Sequence, residues 1–172
     1  MGLGRLAGVK RPAITTILPT GDHPIIVLDV GANVDCKPEV FLEFAVMGTV
    51  YAEEVLGRTN PRVGLLSNGT EDSKGNEQTK AAFKILSEAP INFAGNMEGR
   101  QVFGGEFDVV VCDGFVGNVA LKTSEGLAGM LYDFLKAEFT RNPLTRLAAL
   151  VAYPVLKSFG RRIDPRRYNG AT

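Results

Sequence analysis

Short apolar runs alternate with longer amphipathic segments along most of this chain. The short runs are rich in β-branched and aliphatic residues, and glycine, proline, asparagine or aspartate bounds each of them. The longer segments space their apolar residues three and four apart, which is the period of a helix with one buried face. This alternation predicts an α/β fold with a mostly parallel sheet and helices on both of its faces.

Glycine and proline also set the bounds of the predicted elements. The segment from Pro38 to Leu56 is the clearest helix, because proline opens it and Gly57 follows it. The predicted strands are 13–18, 25–30, 63–66, 91–94 and 108–112, and the predicted helices are 38–56, 76–89, 118–139 and 144–159. Gly95 to Phe107 is barely long enough for a crossover connection, so the strands on either side are not neighbours or are joined by a very short helix.

Charge changes this picture at one end of the chain only. Lysine and arginine number 19, as do aspartate and glutamate, so the formal net charge is zero and gives no sign of nucleic-acid binding. Residues 136 to 172 hold eight basic and two acidic residues, a net of +6, which leaves −6 on the rest. This basic end suggests an anionic partner, but a solvated surface has the same composition.

The rare residue types exclude several kinds of chemistry. Cys36 and Cys112 do not form a disulfide framework, and we expect both to be small core residues of a cytoplasmic protein without a signal peptide. His23 is the only histidine and lies in a predicted turn, so we expect it to face solvent. A histidine-based catalytic triad and a zinc site are therefore not expected.

Glycine- and asparagine-rich loops follow several predicted strands and carry the candidate chemistry. In a parallel sheet these loops meet at one edge, where ligands bind. Uncharged amides beside a lysine and an arginine suit phosphate, or a carbonyl oxygen that gains negative charge. The polar residues that this edge would bring together are Asn33, Lys74, Asn76, Asn96, Arg100 and Asn118, with the acids Asp29, Asp35, Glu98 and Asp113.

The loop after the last predicted strand is the most informative. A run of valines ends at Asp113, Gly114 and Gly117 form a turn, and Asn118 opens a helix-compatible segment. Backbone N–H groups and the positive end of the helix would face one crevice, which predicts an anion site. In the plainer interpretation, Asp113 only caps the helix.

The other candidates also have structural interpretations. Asn-Gly pairs are usually only turns. Lys74 could be a solvated loop charge, and Arg100 with Glu98 could be a surface ion pair of little energetic weight.

Taken together, the loops resemble the phosphate acyltransferases of bacterial phospholipid synthesis, which act on acyl carrier protein and phosphate. The resemblance implies a Rossmann-like three-layer fold of the isopropylmalate-dehydrogenase type. The family's terminal parts have no match here, so we expect residues 1–172 to be one domain, a central to later portion of such an enzyme. The matching motifs are long and ordered and extend over nearly the whole chain: 28–39, 72–77, 93–100 and 108–122.

The resemblance implies transfer of a fatty acyl group from acyl carrier protein to inorganic phosphate, without a metal or other cofactor. Phosphate is the nucleophile, which agrees with the missing triad. We expect Lys74 and Arg100 to hold its charge. Asp113 and Glu98 would position these cations or accept a proton. Substrate or oxyanion would be bound and oriented by Asn33, Asn76, Asn96, Asn118 and the backbone from Gly114 to Gly117. The competing mechanism is a double displacement through Cys112.

Residues 127–160 predict an amphipathic helical hairpin with basic flanks. Such a hairpin suits a membrane interface, core packing or a dimer contact. The resemblance implies a homodimer that associates peripherally with the membrane. Its basic surface would suit acidic acyl carrier protein, and a glycerol-phosphate acyltransferase is a further possible partner.

Other function classes stay open from the residues alone. An acetyl-phosphate transacylase would share the architecture. A metal-dependent decarboxylating dehydrogenase would need clustered aspartates, whereas the acids here lie on separate loops. A non-catalytic remnant that binds membrane or a partner is the third alternative.

Overall fold

The computed structural model describes residues 12–21 and 23–163 and contains one mixed sheet. Its strands are β1 (Thr15–Leu18), β2 (Ile25–Leu28), β3 (Val63–Leu66), β4 (Phe93–Met97) and β5 (Val109–Val111). Their order across the sheet is β1-β2-β5-β3-β4. All neighbours pair in parallel except β1, which is an antiparallel edge strand beside β2. The expected mostly parallel α/β fold is confirmed.

All the predicted helices are present. They are α1 (Pro38–Glu54), α2 (Glu77–Ser87), α3 (Gly114–Thr140) and α4 (Pro143–Ile163), and a short 3-10 helix spans Gly99–Phe103. Helix α3 begins at Gly114 rather than at the expected Asn118, because the glycines that suggested a turn lie inside its first turn. Helix α4 continues through Pro154.

Helices α1 and α2 pack on the same face of the sheet and form the main core with it. Alternate strand residues point into this core, including Leu28, Leu65 and Val109, as the two-residue period of a strand requires. Gly48 of α1 brings the helix close to the strands: a Cβ there would lie 2.4 Å from a Val109 methyl carbon and 2.8 Å from a Leu28 methyl carbon.

A β-bulge in β4 determines which of its side chains face this core. Val63 pairs with Phe93 but Leu65 pairs with Asn96, so β4 has one extra residue in this interval. Gly95 supplies it, with a φ of +99°, a conformation that residues with a Cβ rarely adopt. Asn96 therefore lies on the same face of the sheet as Leu65.

The short connection after β4 has both of the features that were expected as alternatives. Strand β3 lies between β4 and β5, so those two strands are not neighbours. The connection between them also contains the 3-10 helix.

The expectation for His23 was wrong. Its Nε2 lies 3.3 Å from Asp108 Oδ1, and only 23% of its side chain is exposed. Arg58 Nε approaches the same carboxylate oxygen at 3.6 Å. The contacts of His23 and Arg58 with Asp108 connect the β1–β2 turn to the start of β5.

The chain divides into two compact units, Met1–Val119 and Ala120–Thr172. Compact units need not be independent domains, so the single-domain assignment stays a prediction. Within the described residues, α3 and α4 do not pack along one another, which corrects the expected hairpin. Many of their large apolar side chains are exposed. None of the described helices combines the length and the apolar character needed to cross a bilayer.

Replacing Gly48 by alanine should destabilise the fold. The added Cβ would overlap the Val109 and Leu28 side chains, and overpacking of this kind typically costs about 1–3 kcal/mol. Gly126→Ala is the matched control, because a Cβ at this helical glycine meets nothing within 4 Å. The control should raise stability by up to about 1 kcal/mol through helix propensity. Thermal unfolding of both variants tests this, and equal effects would contradict the packing described.

Candidate active site

The carboxyl ends of the four parallel strands meet at one edge of the sheet, which we call the carboxyl edge. The loops that follow β2 and β3 begin at Asp29 and Ser67, and Glu98 and Cys112 follow β4 and β5. The topology therefore brings the predicted site residues to one edge, within the first compact unit.

Asp29 organises the loop that follows β2, which we call the first loop; the sequence placed Asp29 among the acids of this edge but assigned it no role in the reaction. Its carboxylate is fully buried and accepts hydrogen bonds from the backbone N–H groups of Ile14, Gly31, Ala32 and Asn33. It also accepts from Asn33 Nδ2 at 2.9 Å. An aspartate directly after a buried strand and two residues before Gly31 marked the position, but nothing in the sequence indicated a structural rather than a catalytic role.

Asn33 has little donor capacity left for a substrate. Its Nδ2 also donates to the carbonyl oxygen of Pro12 at 2.8 Å, so both amide hydrogens are used. The backbone carbonyl oxygen of Asn33 accepts a hydrogen bond from Gly114 N at 2.7 Å. In this structure Asn33 positions the first loop against α3, and its role as a substrate ligand stays a prediction.

Gly114 and Gly117 allow α3 to contact the first loop backbone to backbone. A Cβ on Gly114 would lie 2.8 Å from the Asn33 carbonyl oxygen. A Cβ on Gly117 would lie only 1.9 Å from the Asp29 carbonyl oxygen. Close packing therefore explains both glycines.

The start of α3, where the sequence predicted an anion site, has most of its N–H donors occupied. Asp113 Oδ1 accepts from the N–H groups of Phe115 and Val116, both at 2.9 Å. The Gly114 and Gly117 N–H groups donate to backbone carbonyl oxygens. These donors already have acceptors, and the capping carboxylate would repel an anion. The plainer interpretation of Asp113 as a helix cap is the one that these contacts support.

The start of α2 is a more suitable place for an anion at the same edge. Asn76 Oδ1 caps the helix by accepting from Thr79 N at 2.8 Å. The N–H groups of Glu77 and Gln78 precede the first intrahelical hydrogen bonds, and no carboxylate caps them, although the acidic side chain of Glu77 lies in this first turn. The Gln78 side chain donates to the Cys36 carbonyl oxygen, which fixes this helix start beside the first loop.

Lys74 places a positive charge directly before this helix. Its side chain is exposed and makes no ion pair with any acidic residue in the described part of the chain. The stem of Lys74 lies across Gly69, where a Cβ would come within 2.6 Å of it. Lys74 N donates to the Glu71 carbonyl oxygen at 3.0 Å, which shapes the loop that carries the lysine.

Asn96 and Ser67 contribute buried polar atoms beneath the same loop. Asn96 is 4% exposed, and its Nδ2 donates to the Glu71 carbonyl oxygen at 2.9 Å. Asn96 Oδ1 and Ser67 Oγ have no hydrogen-bond partner among the described residues. A buried polar group without a partner costs about 1–3 kcal/mol, so both atoms favour a ligand or water that would satisfy them.

Glu98 and Arg100 form an ion pair at the surface, and their role in the reaction stays a prediction. Arg100 Nε lies 2.6 Å from Glu98 Oε2, and 80% of the Arg100 side chain is exposed. Glu98 also caps the 3-10 helix together with Gln101. Asn118 is exposed on α3, with its Oδ1 3.9 Å from the Cβ position of Gly31.

Cys112 is unsuited to be a nucleophile. The thiol is buried, and this burial is the main cause that raises its pKa far above the ordinary value. The negative charges of Asp113 and Asp29 raise the pKa further. The thiolate needed for a double displacement is therefore scarce near neutral pH.

Cys112 should make the fold less stable at alkaline pH. In the unfolded chain the thiol ionises near pH ~8.5, whereas the folded protein retains the proton to higher pH. Above this pH the unfolded state binds fewer protons, so stability falls as pH rises, by up to about 1.4 kcal/mol per pH unit. Urea unfolding at several alkaline pH values should show a shallower decline for Cys112→Ala. Equal slopes for the variant and the original protein would contradict the raised pKa.

The sheet and the helices on it define an α/β protein with a mostly parallel sheet. The phosphotransacetylase EutD from Staphylococcus aureus has this fold, with a TM-score of 0.57 and 21% identity over 72% of this chain and 44% of that one. The family model described as fatty acid synthesis protein matches residues 1–172. The chain belongs to this family, which confirms the resemblance found in its motifs.

Proteins named phosphate acyltransferase are similar to this chain over nearly all of its length. Those from Desulfitobacterium hafniense and Alkalilimnicola ehrlichii are 54% and 55% identical over 99% of the chain. The one from Pelotomaculum thermopropionicum is 54% identical. The chain spans about half the length of these curated relatives, 50% to 52%.

Proposed function

We propose that the protein carrying this chain transfers a fatty acyl group from acyl carrier protein to inorganic phosphate, which yields acyl phosphate and free carrier protein. The observation that carries this proposal is the start of α2, where the unpaired Lys74 stands beside open helix amides at the carboxyl edge. The names of the similar proteins support a phosphate acyltransferase.

In the proposed reaction, a phosphate oxygen attacks the thioester carbonyl carbon directly. The carbonyl oxygen becomes an oxyanion, the carbon–sulfur bond then breaks as the carbonyl re-forms, and the leaving thiolate takes up the proton that the phosphate group releases. Holding phosphate against the thioester can supply roughly 7–11 kcal/mol of the barrier in favourable cases. Neither a serine nor a cysteine nucleophile is required, which is consistent with the buried Cys112.

We assign the charge of phosphate first to Lys74. Asn76 and Asn118 lie at the same edge, and we assign them the orientation of phosphate or of the oxyanion. Arg100 adds a second positive charge, held by its pair with Glu98. The loss of one such donor to an oxyanion typically costs about 100- to 1000-fold in rate.

Lys74→Ala should abolish the formation of acyl phosphate without unfolding the protein, because the side chain is exposed and makes no ion pair with the described residues. The assay supplies acyl-carrier protein and phosphate to the protein carrying this chain and traps acyl phosphate as a hydroxamate. Lys84→Ala is the matched control, since this lysine is also exposed but lies in the last turn of α2.

Full turnover by the Lys74 variant would remove this residue from the site. If the original protein itself produced no hydroxamate, the non-catalytic alternative would be favoured. Product from acetyl donors alone would favour an acetyl-phosphate transacylase.

We further propose that the second compact unit associates with an anionic membrane surface and contributes to a homodimer. Support comes from the exposed apolar residues of α3 and α4 next to the basic end of the chain. The same basic residues would attract acidic acyl carrier protein, and that association should weaken with salt. A glycerol-phosphate acyltransferase at the same membrane is a further proposed partner.

Replacing both Leu147 and Val151 by aspartate should weaken binding to anionic vesicles by at least about 10-fold, because their apolar burial in the interface is lost. These residues are 59% and 79% exposed and lie one helical turn apart on α4. The control replaces Val46 and Val50, which have the same spacing and are exposed on α1. Vesicle co-sedimentation measures both. Vesicle binding that changed neither with the Leu147 and Val151 substitutions nor with the content of anionic lipid would contradict the membrane proposal.

A further inference from the structure

The β-bulge at Gly95 directs Asn96 under the loop that carries Lys74. The Asn96 amide is oriented by its own contact, because Nδ2 donates to the Glu71 carbonyl oxygen at 2.9 Å. Reversing the amide would place two oxygens against one another, so Oδ1 is the atom left free. Asn96 therefore offers a hydrogen-bond acceptor, not the donor that the sequence suggested.

Ser67 supplies a second polar atom at the end of the neighbouring strand. Ser67 follows Leu65 by two residues, so its side chain lies on the same face of the sheet as Asn96. Its Oγ lies 3.1 Å from the Cβ position of Gly75, directly before α2. It has no partner among the described residues and can donate or accept a hydrogen bond.

We propose that these two atoms distinguish monohydrogen phosphate from other tetrahedral dianions. Asn96 Oδ1 accepts a hydrogen bond from the hydrogen-bearing phosphate oxygen, and Ser67 Oγ donates to one of the other oxygens. This inference rests on the proposed function, since it concerns the phosphate of that reaction. It makes Asn96 a specificity-determining residue and adds Ser67, which has no role in the reaction proposed above.

Sulfate has the shape and charge of this phosphate ion but no hydrogen to donate to Asn96 Oδ1. A sulfate ion would face the Asn96 oxygen with one of its own oxygens, which is repulsive. With the phosphate hydrogen held by Asn96, the oxygens without hydrogen remain free to attack the thioester. The geometry thus also orients the nucleophile.

The loop over these atoms must shift when an ion reaches them, because both atoms are buried beneath it. Two hydrogen bonds close the loop: Gly75 N donates to Asn68 Oδ1 at 2.8 Å, and Asn96 donates to the Glu71 carbonyl oxygen. Opening of the first bond admits the ion, whereas the second bond persists and keeps Asn96 Oδ1 directed at the ion. Asn96 is therefore both a closing contact of the loop and the proposed phosphate acceptor.

Calorimetric titration with phosphate, arsenate and sulfate at mildly alkaline pH tests the proposal without an acyl donor. The chain should bind phosphate and arsenate, which both carry a hydrogen, about 10- to 100-fold more tightly than sulfate. Asn96→Ala should weaken phosphate binding and bring the two affinities close together. Ser67→Ala should weaken the binding of phosphate and of sulfate by the same factor, because each ion can accept a hydrogen bond from the hydroxyl.

Asn96→Asp separates selectivity from the closing of the loop. The carboxylate cannot donate to the Glu71 carbonyl oxygen, but it retains an acceptor, so the preference for phosphate should persist at lower overall affinity. Equal binding of sulfate and phosphate by the unmodified chain, binding of neither, or an unchanged preference in Asn96→Ala would overturn the inference. Loss of the preference in a folded Asn96→Asp would overturn it too. Anion selectivity without acyl phosphate formation would instead overturn only the proposed function.

Discussion

The carboxyl edge depends on one buried carboxylate and the glycines that close over it. Asp29 has no exposed surface and binds the N–H groups of the loop around it. A buried charge is tolerated only when hydrogen bonds replace water, and here the backbone provides them. The loop is held close enough for Gly114 and Gly117 of α3 to touch its backbone.

This arrangement gives the two helix starts at the edge different roles. Asp113 satisfies the start of α3, which thereby becomes part of the scaffold. A neutral asparagine caps the start of α2, and a lysine precedes it. A carboxylate thus caps one helix end and a neutral amide caps the other. This difference is why we propose the loop between β3 and α2 as the place that binds the anion.

Much of the fold could be predicted because its signals are local. Pro38 and Gly57 delimit α1, and runs of valine, leucine and isoleucine mark the buried strands. The start of α3 was set too late, since glycines that make close tertiary contacts look the same as glycines in a turn. The prediction that α3 packs against α4 was wrong for a related reason. An amphipathic pattern shows that a helix has an apolar face to bury, but not which element buries it.

The edge that carries the candidate site could be predicted from the sequence, whereas the contacts of its residues could not. Parallel topology alone brings the polar loops to one edge, so Lys74 and Asn96 could be placed there. The donors already used by Asn33 and the orientation of the Asn96 amide depend on contacts distant in sequence. Asp29 has no property in the sequence that separates a structural carboxylate from a catalytic one.

The β-bulge in β4 decides which side of the sheet Asn96 faces. If β4 continued from Phe93 as a regular strand, Gly95 rather than Asn96 would pair with Leu65, and Asn96 and Met97 would exchange sides. The amide would then enter the apolar space beside Gly64 and Phe107, where the methionine sulfur now lies. A substitution at Gly95 that abolished the bulge would leave every polar residue of the loops in the chain and still remove Asn96 from its place beneath the Lys74 loop. Such a variant would keep recognisable motifs and lose the anion preference proposed above.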